Sequence, residues 1–167
     1  MVLLEIMIVF LVVSCSLVIH ELGHAIATVT ASKNAKAEVF LGSASKANKL
    51  RLSFGRITCY LTIAISGYCE YSIPKEYPAF TYKQKIFFYL GGPSASLLCF
   101  VALFIATHFT SGVARNIIIN SAGVNLILII MSLVSWTYPR FLGGGPSDGL
   151  QILNLVKRNR KEREFST

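Results

Sequence analysis

The chain has 167 residues, a length that suits one domain. Its composition is 53% apolar and 14% charged, with a mean hydropathy of +0.58, which excludes an ordinary soluble domain. So small a protein leaves too much of itself at the surface to hide that many apolar residues. A formal charge of +8 would suit nucleic acid, but the cations fall between and after long apolar runs, so no nucleic-acid partner is expected.

The first apolar run covers residues 6–31, or ~39 Å of helix, enough to span a bilayer with some tilt. No basic stretch precedes it and no small-residue cleavage site follows, so it reads as a span and not as a cleaved signal peptide. From residue 32 the character changes. Residues 35–73 carry short alternating stretches such as Leu50-Arg51-Leu52-Ser53-Phe54 and Tyr68-Cys69-Glu70-Tyr71, which predict a small membrane-associated β-sheet. Ile57 to Ile65 is rich in β-branched and aromatic residues and too short to cross as a helix. A connector with Pro74 and Pro78 leads to a second span over residues 86–109, and a short loop with Arg115 leads to a third over 117–136. Pro139, Gly143, Gly144, Gly145 and Pro146 mark a loop. A short helix from Leu150 to about Val156 then runs into a basic tail, residues 157–167. The expected fold is thus a mainly α membrane protein: one domain over residues 1–167, three transmembrane helices, a small sheet and a short C-terminal helix.

Charge sets the expected orientation. Nine Lys or Arg lie between Ser32 and Lys85 and five in the tail, against Arg115 alone in the loop between the second and third spans. Cytoplasmic loops carry such an excess. The N-terminus is therefore expected outside, and the β-rich insert and C-terminus in the cytoplasm of a multi-pass cell-membrane protein. Four cysteines form no C-x-x-C pair, and free thiols are expected.

His20-Glu21-Leu22-Gly23-His24 is an H-E-x-x-H motif inside the first span. On a helix, positions i and i+4 share a face, so both imidazoles can bind one zinc ion. Glu21 beside them can take a proton from water activated by the metal. Ionisable groups in a span are costly and mark function, whereas a polar patch bonding to neighbouring helices is the structural alternative. A catalytic zinc takes three protein ligands, so one more is needed. His108 lies at the far end of the second span, whereas Asp148, the only aspartate, follows the cytoplasmic end of the third. Asp148 is the expected third ligand of one zinc per chain; its other reading is an N-cap for the last helix. The three glycines 143–145 read either as a gate over the site or as a passive spacer.

Three motifs in order, His20 to His24, Gly92-Pro93-Ser94-Ala95-Ser96, and Pro146-Ser147-Asp148-Gly149, resemble the site-2 protease family of intramembrane zinc metalloproteases. Ile65-Ser66-Gly67-Tyr68 is similar to that family's Gly-Gly-Tyr turn. The resemblance implies a three-helix catalytic core with a small β-sheet, zinc on His20, His24 and Asp148, and Glu21 as general base. Ser96 stands where the family has asparagine, which makes it the candidate for oxyanion or substrate positioning; Trp136 likewise replaces an asparagine, with Pro139 kept. The implied activity is endoproteolysis within or beside transmembrane segments, of a single-span membrane protein or a peptide precursor. The strands between Glu38 and Tyr71 would either pair with an unwound substrate or simply cap the cytoplasmic mouth.

Two other functions use the same residues. A zinc or proton transporter would need ionisable groups through both halves of the membrane, yet the outer halves hold only Glu5 and His108 beside neutral groups such as Ser14, Asn120 and Asn125. A protease-like binding protein without turnover would not need an intact Glu21.

Overall fold

A computed structural model describes residues 2–164. Its elements are α1 (Val2–Ala31), β1 (Lys36–Leu41), β2 (Leu50–Phe54), β3 (Ile57–Leu61), β4 (Gly67–Ser72), α2 (Tyr82–Ala106), α3 (Gly112–Leu133) and α4 (Asp148–Glu164). Short 3-10 turns cover Thr107–Phe109 and Arg140–Leu142. α1, α2 with its 3-10 turn, and α3 are each long and apolar enough to cross a membrane. Little of these helices is buried by the protein itself, and residues such as Leu3, Leu98 and Val113 are more than 70% exposed.

All four helices differ in their bounds from the sequence reading, and α1 starts at Val2, four residues before the expected span. α2 starts at Tyr82, four residues before the expected span, because Thr81 and Gln84 form a capping box that starts the helix among polar residues. α3 runs Gly112–Leu133, where 117–136 is expected: it starts in the polar loop and gives way at Val134 to extended backbone. α4 continues to Glu164 instead of ending near Val156. Its tail has no Gly or Pro, is rich in good helix formers, and carries an Arg160–Glu164 pair at 3.0 Å one turn apart.

The sheet order is β2-β3-β1-β4, with β1 parallel to β3 and the other two pairings antiparallel. Alternate side chains of the sheet, Ala37, Val39, Ile57, Cys59, Leu61 and Cys69, pack on Leu22 and Ala25 of α1. The opposite face stacks Tyr60, Phe40 and Tyr68 across three strands, with centroids 4.9 and 5.0 Å apart. Arg56 ties the sheet to the end of α1 by donating to the carbonyls of Val29, Ser32 and Ala35 at 2.8, 2.6 and 3.1 Å. These carbonyls stand at or just past the helix end, where such groups lack intrahelical partners. The β3–β4 loop reaches further along α1: Ser14 and Ala64 exchange hydrogen bonds of 2.8 and 3.0 Å. Ser14 is six residues, ~9 Å, beyond His20, so the sheet lies along α1 and is not only a cap at its end.

α1 therefore has two buried faces. Ser14, Glu21 and Ala25 meet the sheet or its loops, while His20, Gly23, His24 and Ala27 meet α2. A Cβ at Gly23 or Gly91 would collide with the other's carbonyl oxygen, so this pair lets α1 and α2 touch backbone to backbone. α3 joins through Asn125, whose amide donates to Ser16 Oγ on α1 at 3.0 Å.

Candidate metal centre

The helical spacing brings His20 and His24 onto one face of α1, against the stretch of α2 around Gly92 and Pro93. Both rings are buried and fixed from behind. His24 Nδ1 donates to the Phe88 carbonyl at 2.7 Å, and His20 Nδ1 and Ser96 Oγ share a hydrogen bond of 2.9 Å. The proton on His24 Nδ1 leaves its Nε2 lone pair free for a ligand, and His20 offers the same in the tautomer that donates to Ser96. The Gly92 amide also lies 3.3 Å from His24 Nδ1, but that nitrogen's proton serves the shorter bond to Phe88.

Asp148 completes the set. Its Oδ2 lies 3.4 Å from Nε2 of His20 and 3.4 Å from Nε2 of His24, and the ligand atoms of all three residues fall within 4.8 Å of one another. Bonds of ~2.0–2.2 Å to a tetrahedral zinc put neighbouring ligand atoms ~3.3–3.6 Å apart. The two distances from Asp148 match that edge length. Two neutral imidazoles and one carboxylate are also a donor set that zinc accepts, so the group could hold a metal ion.

Asp148 arrives by a locked turn. Ser147 Oγ donates to the Val134 carbonyl at 2.6 Å and accepts from the Leu150 amide at 3.2 Å, while the Ser147 amide donates to the Trp136 carbonyl at 3.0 Å. Ser147 is thus the N-cap of α4, and the Asp148 carboxylate is free to face the histidines. Gly149 follows because a Cβ there would collide with the Leu133 carbonyl at the end of α3.

The glycine loop closes on itself. Tyr138 N–H donates to the Gly145 carbonyl at 2.8 Å, and Gly144 N–H to the Pro139 carbonyl at 3.1 Å. Gly143 and Gly144 have φ of 110° and 70°, values that an L side chain resists. The glycines therefore shape a turn, with Asp148 just beyond its anchored end.

Glu21 is buried beside the histidines, at 6% exposure. Gly67 of β4 packs on it: a Cβ there would stand 3.2 Å from Glu21 Cγ. Ser96 is fully buried, with its hydroxyl on His20 Nδ1. His108 sits in the 3-10 turn after α2, its ring against Phe104, and is not part of the metal-capable group.

Four contributors carry no role in the sequence reading, although Gly92 and Ser147 lie inside its motifs. Gly92 is one, since its missing Cβ is the space in front of both Nε2 atoms. Ser147 and the Phe88 carbonyl act through contacts distant in sequence. Tyr138 is the fourth: its amide holds the Gly145 carbonyl at 2.8 Å and its hydroxyl donates to the Met131 carbonyl at 3.2 Å, which anchors the turn before Asp148. The cysteines are free, as expected, and burial raises the Cys69 thiol well above its ordinary range.

Comparison with models of known protein families finds no match to this chain, and comparison with curated proteins finds no significant one.

Proposed function

We propose that the protein is a zinc-dependent intramembrane endopeptidase of the site-2 protease type. The observation that carries this reading is one carboxylate oxygen placed at tetrahedral-edge distance from two imidazole Nε2 atoms, with Glu21 buried beside them in a helix apolar enough to cross a bilayer. The bare apolar outer surface of α1, α2 and α3 supports a membrane setting, because lipid would cover what the protein leaves open. The cation bias supports the N-terminus outside, with the site towards the cytoplasmic side and the C-terminus in the cytoplasm.

His20, His24 and Asp148 would hold the zinc. When bound, zinc supplies Lewis acidity, polarising a scissile carbonyl and lowering the pKa of water. Glu21 then takes the proton of the attacking water and returns it to the leaving amine. Ser96, within hydrogen-bond distance of His20 Nδ1, would orient that ligand, and when its oxygen accepts from the ring its own hydroxyl proton stays available for a second bond. β4 is an edge strand, and its first residue packs on Glu21. An unwound segment of a single-span membrane protein or peptide precursor pairing along β4 would be presented extended beside that carboxylate.

Metal analysis of the purified protein, joined to cleavage of a tagged single-span substrate, tests this. About one zinc per chain is expected for a three-ligand site. Glu21→Gln should keep the zinc and lose at least ~10²- to 10⁴-fold in turnover, because an amide cannot accept the proton. Absence of zinc binding, or full turnover by Glu21→Gln, would refute the proposal.

A further inference from the structure

α4 carries one of the site's ligands at its first residue and a cluster of cations at its other end. Lys157, Arg158, Arg160 and Lys161 are all exposed, and Asn154, Lys157, Arg158 and Lys161 follow one another at i, i+3, i+4 and i+7, a single stripe. A shallow groove along this stripe is walled by Asn154, Lys157, Arg158, Arg160, Lys161 and Glu164. Of these cations, Arg160 bonds Glu164 at 3.0 Å, an exposed pair that competing anions screen readily. Leu153 and Val156, 38% and 44% exposed, precede the cations.

Depth agrees with charge. His24 lies seven residues, ~10 Å, from the end of α1, and Lys157 lies nine residues, ~14 Å, from Asp148, which sits at the histidines' level. A helix continuing from the site in the sense of α1 would start its cations near the level at which α1 ends. A helix with exposed apolar residues next to the bilayer and Lys/Arg beyond them has the pattern of an interfacial segment.

We infer that the cationic stripe of α4 docks on anionic lipid headgroups of the cytoplasmic leaflet, and that this docking steadies the helix that begins at Asp148. The inference rests on the membrane reading above but not on proteolysis. Lys and Arg near an anionic surface each contribute ~1 kcal/mol, so four cations correspond to a preference of up to ~10³-fold for anionic over neutral lipid at low salt.

Amide hydrogen exchange of the full chain in lipid nanodiscs, neutral phosphatidylcholine against the same lipid with added phosphatidylglycerol, reads the docking directly. Amides in the last ten residues of α4 should exchange at least ~10-fold more slowly in the anionic discs, and the difference should vanish near 1 M salt, where the Debye length is ~3 Å. The variant Lys157→Gln/Arg158→Gln/Arg160→Gln/Lys161→Gln should lose the slowing while α1, α2 and α3 keep wild-type exchange. A control that removes four exposed lysines elsewhere, Lys33→Gln/Lys36→Gln/Lys75→Gln/Lys83→Gln, should retain it. Equal exchange in both lipids, or slowing that survives the α4 variant, would overturn the inference. Failure to enter discs at all would instead refute the membrane reading, and a cleavage assay stays independent of both.

Discussion

Replacing Gly92 by alanine places a methyl group where the metal would sit. The new Cβ would stand 2.6 Å from His20 Nε2 and collide with His24 Nε2, whereas ordinary contact begins near 3.4 Å. Each ring would have to move by ~1 Å, and neither moves freely. His20 is held by Ser96 at 2.9 Å and His24 by the Phe88 carbonyl at 2.7 Å, so a shift of that size breaks both bonds. Loss of one such outer-shell bond typically lowers metal affinity 10- to 100-fold, so two give ~10²- to 10⁴-fold, or ~3–5 kcal/mol. The folded chain should suffer less. Overpacking costs ~1–3 kcal/mol, offset by up to ~1 kcal/mol from alanine's better helix propensity. A competition titration against a fluorescent zinc chelator measures the first effect and thermal unfolding the second. Gly123→Ala on α3, which meets nothing within 4 Å, is the matched control and should leave zinc affinity unchanged. Wild-type zinc affinity in Gly92→Ala would refute Nε2 ligation by this histidine pair.

Three further outcomes follow from single contacts. Ser96→Ala should weaken zinc binding ~10- to 100-fold by the same titration, with the chain still folded, because His20 alone loses its orienting bond. Arg56→Ala strips three carbonyls of a charged donor and should cost ~2–4 kcal/mol of stability in thermal or denaturant unfolding, more than an exposed ion pair contributes. Gly143→Ala and Gly144→Ala should each cost ~1–2 kcal/mol, whereas Gly145→Ala, which has neither a positive φ nor a neighbour within 4 Å, should be tolerated in unfolding and turnover alike. Lost turnover in Gly145→Ala with zinc retained would show that the loop does more than carry Asp148 to the site.

Much of this architecture was legible in the sequence. The three apolar runs and the β-branched insert were visible because long apolar helices and strands declare themselves by local length and periodicity, and the α1 histidine pair because i, i+4 spacing is itself a local rule. Boundaries were less legible. α4 outlasts its apolar stretch because helix propensity and an i, i+4 ion pair sustain it where hydrophobicity does not.

What only the tertiary structure decided depends on residues far apart in the chain. Asp148 reads from sequence as the third ligand with an N-cap as its other reading, and it is Ser147 that takes the cap, a choice made by its contacts with Val134 and Trp136. Ser96 stood as a candidate near a reacting oxygen; its place against His20, 76 positions away, is set by the contact of Gly23 with Gly91, which no local pattern encodes. The sheet's reach to Ser14 likewise required the fold. Local spacing names the groups that can bind a metal, but packing of distant segments decides which of them face one point.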